Sequence, residues 1–275
     1  MNRITSTSNS KVKRLVSLKK RRKARDEEKV FLVEGIRMFR EVLPEILQEV
    51  YVSESFYRKE QSAFESFLSG VREGRTRMPV TEVLSDSVFD YVSDTRTPQG
   101  VLCVVRQMEY TLPEVSGGEL PHVLVIDHLQ DPGNLGTIFR AAEGAGVTGI
   151  VMDRECVDIY NPKTIRSTMG SIYRMPFCCV KSLPEAVGEL KERGIWTYAA
   201  HLEGQCDYDK EDYRRPCAFL IGNEGNGLTK EVADLADKYI RIPMKGQVES
   251  LNAAVAASVL MFEAARQRRK TAGCL

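Results

Sequence analysis

Three short segments combine glycine, amide and carboxylate residues in patterns suited to holding a ligand. The first runs Asp127-His128-Leu129-Gln130-Asp131-Pro132-Gly133-Asn134 and leads on to Arg140. The second is Gly222-Asn223-Glu224-Gly225-Asn226-Gly227-Leu228. The third is Ile242-Pro243-Met244-Lys245-Gly246-Gln247-Val248-Glu249-Ser250-Leu251-Asn252. Each stands at the C-terminal end of an apolar, strand-like run, which is where open α/β sheets take their ligands. Glycines at 222, 225 and 227 would let backbone approach a ligand closely and adopt positive φ. Each segment also has a purely structural reading. Asn134 could be a helix N-cap after a turn, the second segment an exposed loop, and 249–252 a helix start. Their shared order and spacing favour a site.

Other chemistries find little support. Gly144-Ala145-Gly146-Val147-Thr148-Gly149 is formally G-x-G-x-x-G, yet it follows a predicted helix and precedes a predicted strand. A dinucleotide cradle needs the reverse arrangement, so Gly144 and Gly146 read as a helix C-terminal stop, and a nicotinamide oxidoreductase loses its support. The seven cysteines, at 103, 156, 178, 179, 206, 217 and 274, form no C-x-x-C pair, and there are three histidines. They read as reduced and mostly buried, with no metal site expected.

The elements that must position these segments follow from the apolar pattern. A basic helical stretch covers 8–25. Strands are expected at Val30–Val33, Val50–Val52, Pro79–Val83 and Gly100–Val105, with helices at Gly35–Leu43 and Gln61–Phe67. That alternation predicts a three-layer α/β unit over 1–105. Residues 106–120 are polar, carry Pro113 and Gly117-Gly118, and read as a linker. In 121–275, strands are expected at His122–Asp127, Thr148–Met152, Pro176–Val180, Ile195–Ala200, Cys217–Ile221 and Tyr239–Ile242. Helices are expected from Asn134 to Gly144 and from Glu249 to Gln267. Such alternation predicts a mostly parallel sheet.

The net charge of +1 conceals segregation: residues 1–40 hold 13 Lys/Arg against four Asp/Glu, and residues 241–275 hold six against two. The middle is therefore strongly acidic. Basic ends suggest a polyanionic partner; the plainer reading is a solvated helix face. Apolar runs are too short or interrupted to span a bilayer, and the N-terminus lacks an apolar signal segment. A cytoplasmic location and no membrane association are expected.

The three segments resemble the three motifs of the SpoU-TrmH branch of the SPOUT RNA methyltransferases, over residues 121 to about 268. The resemblance implies a parallel sheet with a C-terminal trefoil knot, a homodimer with composite active sites, and S-adenosylmethionine as cofactor. It assigns Gly222, Ile242 and Leu251 to the cofactor. Gly227, Met244 and Leu202 are further candidates, at the loop, the apolar wall and the end of the Ala199–Leu202 strand. Arg140 matches the family's catalytic arginine, and Asn134, Glu224, Ser250 and Asn252 its other polar positions. A guanidinium stays protonated, so Arg140 reads better as a bidentate clamp on the phosphate beside the target ribose; a role as base stays open here. Glu224 would pair with Arg140 or hold its loop.

More loosely, residues 1–105 resemble the ribosomal-protein-like substrate-binding domain found in this branch, through Ile4-Thr5-Ser6, Asn9-Ser10-Lys11-Val12-Lys13 and Phe31-Leu32-Val33-Glu34-Gly35. Lys11, Lys13, Arg14, Lys19, Lys20, Arg21, Arg22, Lys23 and Arg25 are candidate phosphate contacts, which position RNA without reading its sequence. The expectation is ribose 2′-O-methylation of RNA, with 23S ribosomal RNA favoured over transfer RNA. A non-catalytic RNA-binding or ribosome-assembly factor of the same fold is the alternative.

Overall fold

A computed structural model of the protein describes residues 2–72 and 79–271. These divide into two compact units, residues 1–108 with 160–173 and residues 109–159 with 174–275. The first holds β1 (Asn2–Ile4), α1 (Ser10–Lys20), α2 (Arg22–Glu28), β2 (Val30–Glu34), α3 (Ile36–Glu41), β3 (Leu47–Ser53), α4 (Glu54–Arg72), β4 (Val80–Leu84), α5 (Asp86–Val92) and β5 (Val101–Arg106). Its sheet is mixed, ordered β1-β4-β3-β5-β2, with β1, β4 and β3 parallel and β5 antiparallel to both neighbours. Side chains alternate across it as strand geometry requires. Leu32, Tyr51, Leu102 and Val104 share a core with Val12, Leu15 and Leu18 of α1 and Val88, Phe89 and Val92 of α5. Phe31 stacks instead on Tyr160, 4.7 Å between centroids.

The basic stretch is two helices rather than one. The apolar stripe Val12, Leu15, Leu18 stops where Arg21 and Arg22 follow, and Arg21 is extended (φ −121°, ψ 116°). Asn9 caps the start, its side chain accepting from the Lys11 amide at 2.9 Å.

The second unit begins with α6 (Leu112–Val115), a short helix inside the stretch expected to be a linker, with a Thr111–Glu114 capping box. Then come β6 (His122–Ile126), α7 (Pro132–Ala145) and β7 (Gly149–Asp153). The chain next gives α8 (Pro162–Thr168) to the first unit. It continues through β8 (Phe177–Val180), α9 (Leu183–Glu192), β9 (Trp196–Ala200), β10 (Cys206–Asp207), β11 (Cys217–Ile221), α10 (Lys230–Ala233), β12 (Lys238–Arg241) and α11 (Ala253–Thr271). Seven strands lie in the order β10-β12-β9-β11-β6-β7-β8, every neighbouring pair parallel. The central strands β6, β7 and β11 are buried at every position, as cover on both faces demands, whereas β10 and β12 toward one edge carry half-buried or exposed polar residues.

From β6 the chain winds outward through β7 and β8, then crosses back to the far side of β11. The order therefore switches at β6 and β11, and loops leaving their C-terminal ends diverge there. That point is where a doubly wound sheet opens a crevice. Gly146 ends α7 in a left-handed conformation (φ +72°), its amide donating to Ala142 and Glu143 carbonyls. The G-x-G-x-x-G is thus a helix stop. Among the described residues Cys103, Cys156, Cys178, Cys206 and Cys217 are in no disulfide; Cys274 lies outside the described residues. Among the described residues no helix is long and apolar enough to cross a membrane.

Candidate active site

A cleft of about 780 Å3 opens at this end of the sheet, lined by residues following β9, β11 and β12. Gly222, Gly227, Ile242, Met244, Leu251 and Leu202 all line it, as do Glu224 and Ser250. Leu202 is 65% exposed and leaves one wall apolar. The volume lies within the range of cofactor pockets. Ile242, Pro243, Met244 and Leu251 bring aliphatic surface to the wall, which suits the face of an adenine. These features fit S-adenosylmethionine.

The loop after β11 is built around Gly222. A Cβ there would fall within the backbone of Gly227 and Leu228. The close approach is thus of loop to loop. Asn223 and Gly227 exchange backbone hydrogen bonds at 2.9 and 3.0 Å. Of the three glycines expected to need positive φ, only Gly227 has it, at +69°. Asn223, which sequence reasoning did not single out, accepts from the Gly225 and Asn226 amides at 2.8 and 3.2 Å.

The polar residues of the three segments form one network. Glu224 Oε1 accepts from Asn134 Nδ2 at 2.9 Å and from the Asp131 amide at 3.0 Å, and Oε2 from the Gln130 amide at 3.2 Å. Asn252 Nδ2 donates to Asn134 Oδ1 at 2.9 Å. Burial alone would raise the Glu224 carboxyl, but hydrogen bonds from Asn134, its own amide, Asp131 and Gln130 outweigh that and hold it below the usual carboxylate range. Glu224 therefore holds its loop and is not paired with Arg140.

Two expected helix starts shift. Asp131, not Asn134, caps α7, accepting from the Asn134 amide at 2.8 Å with Pro132 at the first helical position. This frees the Asn134 side chain for Glu224. Asn252 caps α11, accepting from the Ala254 and Val255 amides at 2.9 and 3.3 Å. That cap keeps Glu249, Ser250 and Leu251 out of the helix and on the cleft wall.

Arg140, Asn134 and Asn252 are not among the lining residues. Arg140 lies on the exposed side of α7 and, among the described residues, has no hydrogen bond or ion pair. A guanidinium on an exposed face is free to meet an anionic substrate.

Beside the network lies a cluster of which the sequence analysis quoted Asp127 and His128 without a role and did not reach Asp153. Asp127 is 1% exposed and Asp153 8%, and both face His128 Nδ1, at 2.6 and 2.9 Å. Asp127 Oδ2 accepts from the Thr229 amide and hydroxyl at 2.7 and 2.8 Å. A carboxylate ending a fully apolar strand was the available signal.

The nine basic candidates separate sharply. Lys11 pairs with Glu82, and Arg14 with Glu28 and Glu49 at 2.7 and 2.8 Å. Lys19 donates to the Ser93 carbonyl at 2.8 Å, and burial lowers its pKa. Arg25 is 3% exposed, its Nη1 donating to the Leu18 and Lys19 carbonyls. It closes the end of α1 and presents no guanidinium to a partner, so it is withdrawn as a phosphate contact. Lys13, Lys20, Arg21, Arg22 and Lys23 are exposed; Arg22 and Lys23 make only loose pairs, at 3.7 Å, with Asp26 and Glu27.

Residues 121–262 match the SpoU rRNA Methylase family. A relative from Bacillus subtilis, the 23S rRNA (guanosine(2553)-2′-O)-methyltransferase RlmP, is 34% identical over 95% of this chain and 98% of its own. The chain belongs to the SpoU rRNA methylase family. Residues 9–103 match the MRM3-like substrate binding domain. An AdoMet-bound rRNA methyltransferase from Sinorhizobium meliloti superposes with a TM-score of 0.83 at 28% identity, covering 96% of this chain and 97% of that one. The SpoU methyltransferase AviRb from Streptomyces viridochromogenes, in complex with AdoMet, gives 0.82 at 26% identity, covering 95% and 98%.

Proposed function

We propose that this SpoU methylase is an S-adenosylmethionine-dependent RNA methyltransferase acting on a ribose 2′-hydroxyl of 23S ribosomal RNA. The observation that carries the reading is the joining of three motif loops, through Glu224, Asn134 and Asn252, beside a cofactor-sized cleft. The cofactor, when bound, supplies an electrophilic methyl group. Gly222, Gly227, Ile242, Met244, Leu251 and Leu202 would hold it. Methyl transfer requires in-line approach, so fixed geometry is the main contribution of the protein. Glu224 spends both oxygens on holding the loops together. Arg140 acts as a donor and clamps the phosphate next to the target ribose through two N–H groups. Of the five polar site candidates, Ser250 is the remaining one on the cleft wall and is assigned to substrate.

In this reading the unit formed by 1–108 with 160–173 binds RNA and the unit that begins at 109 catalyses; the stretch 106–120, expected to be a linker, instead carries α6 into the core of the second unit. A trefoil knot in the C-terminal part, a homodimer through the catalytic domain and a cytoplasmic location complete the proposal, supported by family membership.

Two measurements test it. Saturating S-adenosylmethionine should raise unfolding stability by roughly 2.7 kcal/mol at 100 times Kd; no stabilisation at millimolar cofactor would remove the cofactor site. Incubation with unmodified 23S rRNA should give one new 2′-O-methyl mark by mass spectrometry. Arg140→Ala should abolish that mark while leaving cofactor affinity within about twofold, an expectation resting on its place outside the cleft. Retained turnover would take Arg140 out of the reaction.

A further inference from the structure

His128 stands where the β6–α7 loop begins, and its backbone is left-handed (φ +54°), a conformation that side chains other than glycine seldom adopt. Its imidazole is 46% exposed, yet Nδ1 is enclosed by Asp127 Oδ1 and Asp153 Oδ2 at 2.6 and 2.9 Å. The Asp153 carboxylate also accepts from the His128 amide at 2.7 Å and the Cys156 amide at 2.6 Å, so it is itself rigidly placed. The turned backbone aims the His128 carbonyl at Asn223, whose Nδ2 donates to it at 2.8 Å. Gln130 Nε2 donates to the same carbonyl at 3.2 Å. Asn223 is the residue that folds the 222–227 loop.

The cofactor loop is thus tied to the β6–α7 loop at three points. Asn223 holds the His128 carbonyl, Glu224 holds the Gln130 and Asp131 amides, and Thr229 holds Asp127. Two of the three ties involve the Asp127–His128 pair. We propose that His128 is a positioning residue for the methyl-transfer site: clamped by Asp127 and Asp153, its imidazole maintains the left-handed turn that fixes Asn223 and with it the cofactor loop. His128 does not line the cleft and acts through Asn223. The imidazole is held above the ordinary histidine pKa, chiefly by its hydrogen bond to Asp127, consistent with a cationic clamp between two carboxylates.

The inference rests on reading the cleft as the cofactor site and deepens it. The test is steady-state methylation by the full chain with His128→Ala, His128→Asn and His128→Gly, alongside direct S-adenosylmethionine binding. Alanine removes the clamp and disfavours the turn. If the competent loop falls to about a tenth of the population, KM for the cofactor rises roughly tenfold. Saturating cofactor restores the loop, so kcat should stay within about twofold of the wild type. Asparagine tolerates the left-handed region and offers Asp127 a donor, so it should recover most of the loss. Glycine accepts the turn without holding it and should fall between; it keeps the comparison usable if alanine fails to fold. Unchanged KM in both the alanine and glycine variants, or a loss confined to kcat, would overturn the proposal. A wild-type protein that binds no cofactor would instead remove the reading of the cleft beneath it.

Discussion

At the scale of single residues, Gly222 and His128 show two ways in which one position sets the loop. Gly222 lies against the Gly227–Leu228 backbone, where a Cβ has no room. Gly222→Ala should cost about 1–3 kcal/mol, the usual penalty of overpacking, and should abolish cofactor binding. Denaturant unfolding with calorimetric titration measures both; a variant that binds normally would show that the loop can open at little cost. His128 carries a pH dependence. Its pKa is raised, first by the hydrogen bond to Asp127, with Asp153 and Glu155 adding to it and burial opposing. A raised pKa means the stabilisation is fully present below about 6.5, the unfolded value, and is lost as pH rises through the folded value. NMR should therefore place the His128 titration above about 6.5, and over that window stability should fall in the wild type more than in His128→Gly. A midpoint at or below the ordinary value would contradict the clamp. The motif glycines and amides could be read directly from the chain because several lie within one short segment. Asp153 could not, since 25 residues of chain separate it from the His128 amide it accepts from.

Among the elements, the basic stretch was misread as one helix because charge says nothing about where an apolar stripe ends. Arg25 looked like its neighbours in sequence and differs from them wholly in environment. It folds back from α2 to close α1, and the Gln107 side chain donates to its carbonyl at 3.1 Å. Arg25→Ala should destabilise the first unit by about 1–3 kcal/mol, because the α1 carbonyls lose a buried donor. Lys23→Ala should change stability by less than about 0.5 kcal/mol. Equal effects in urea titrations would mean that Arg25 is a surface residue after all. Six of the seven strands of the parallel sheet were legible, the central ones because runs such as Val123–Ile126 and Ala218–Ile221 are apolar at every position; the two-residue β10 was not. The three-residue β1, the seven-residue α5 and the four-residue α10 carry too little periodicity to be seen. Both shifted helix starts were also beyond reach, since an Asp or an Asn can cap equally well and tertiary partners decide which one does.

For the whole molecule, the segregated charge assigns different work to the two units. The exposed cations Lys13, Lys20, Arg21, Arg22 and Lys23 belong to the first, while every residue lining the cofactor cleft belongs to the second. Removing the internally paired or buried Lys11, Arg14, Lys19 and Arg25 from the phosphate-contact set lowers the expected salt dependence. Five contacts to single-stranded RNA, at about 0.7 each, give a slope of log affinity on log salt near −3.5. Reversing Lys20, Arg21, Arg22 and Lys23 to glutamate should remove most of that slope and weaken RNA binding at about 0.1 M salt. Cofactor affinity should not change, because every residue lining the cleft belongs to the second unit and none of these four does. Filter binding across a salt series, with calorimetry for the cofactor, separates the outcomes. An unchanged slope would move RNA recognition to the basic C-terminal segment, and a parallel loss of cofactor affinity would mean that the two units do not work independently.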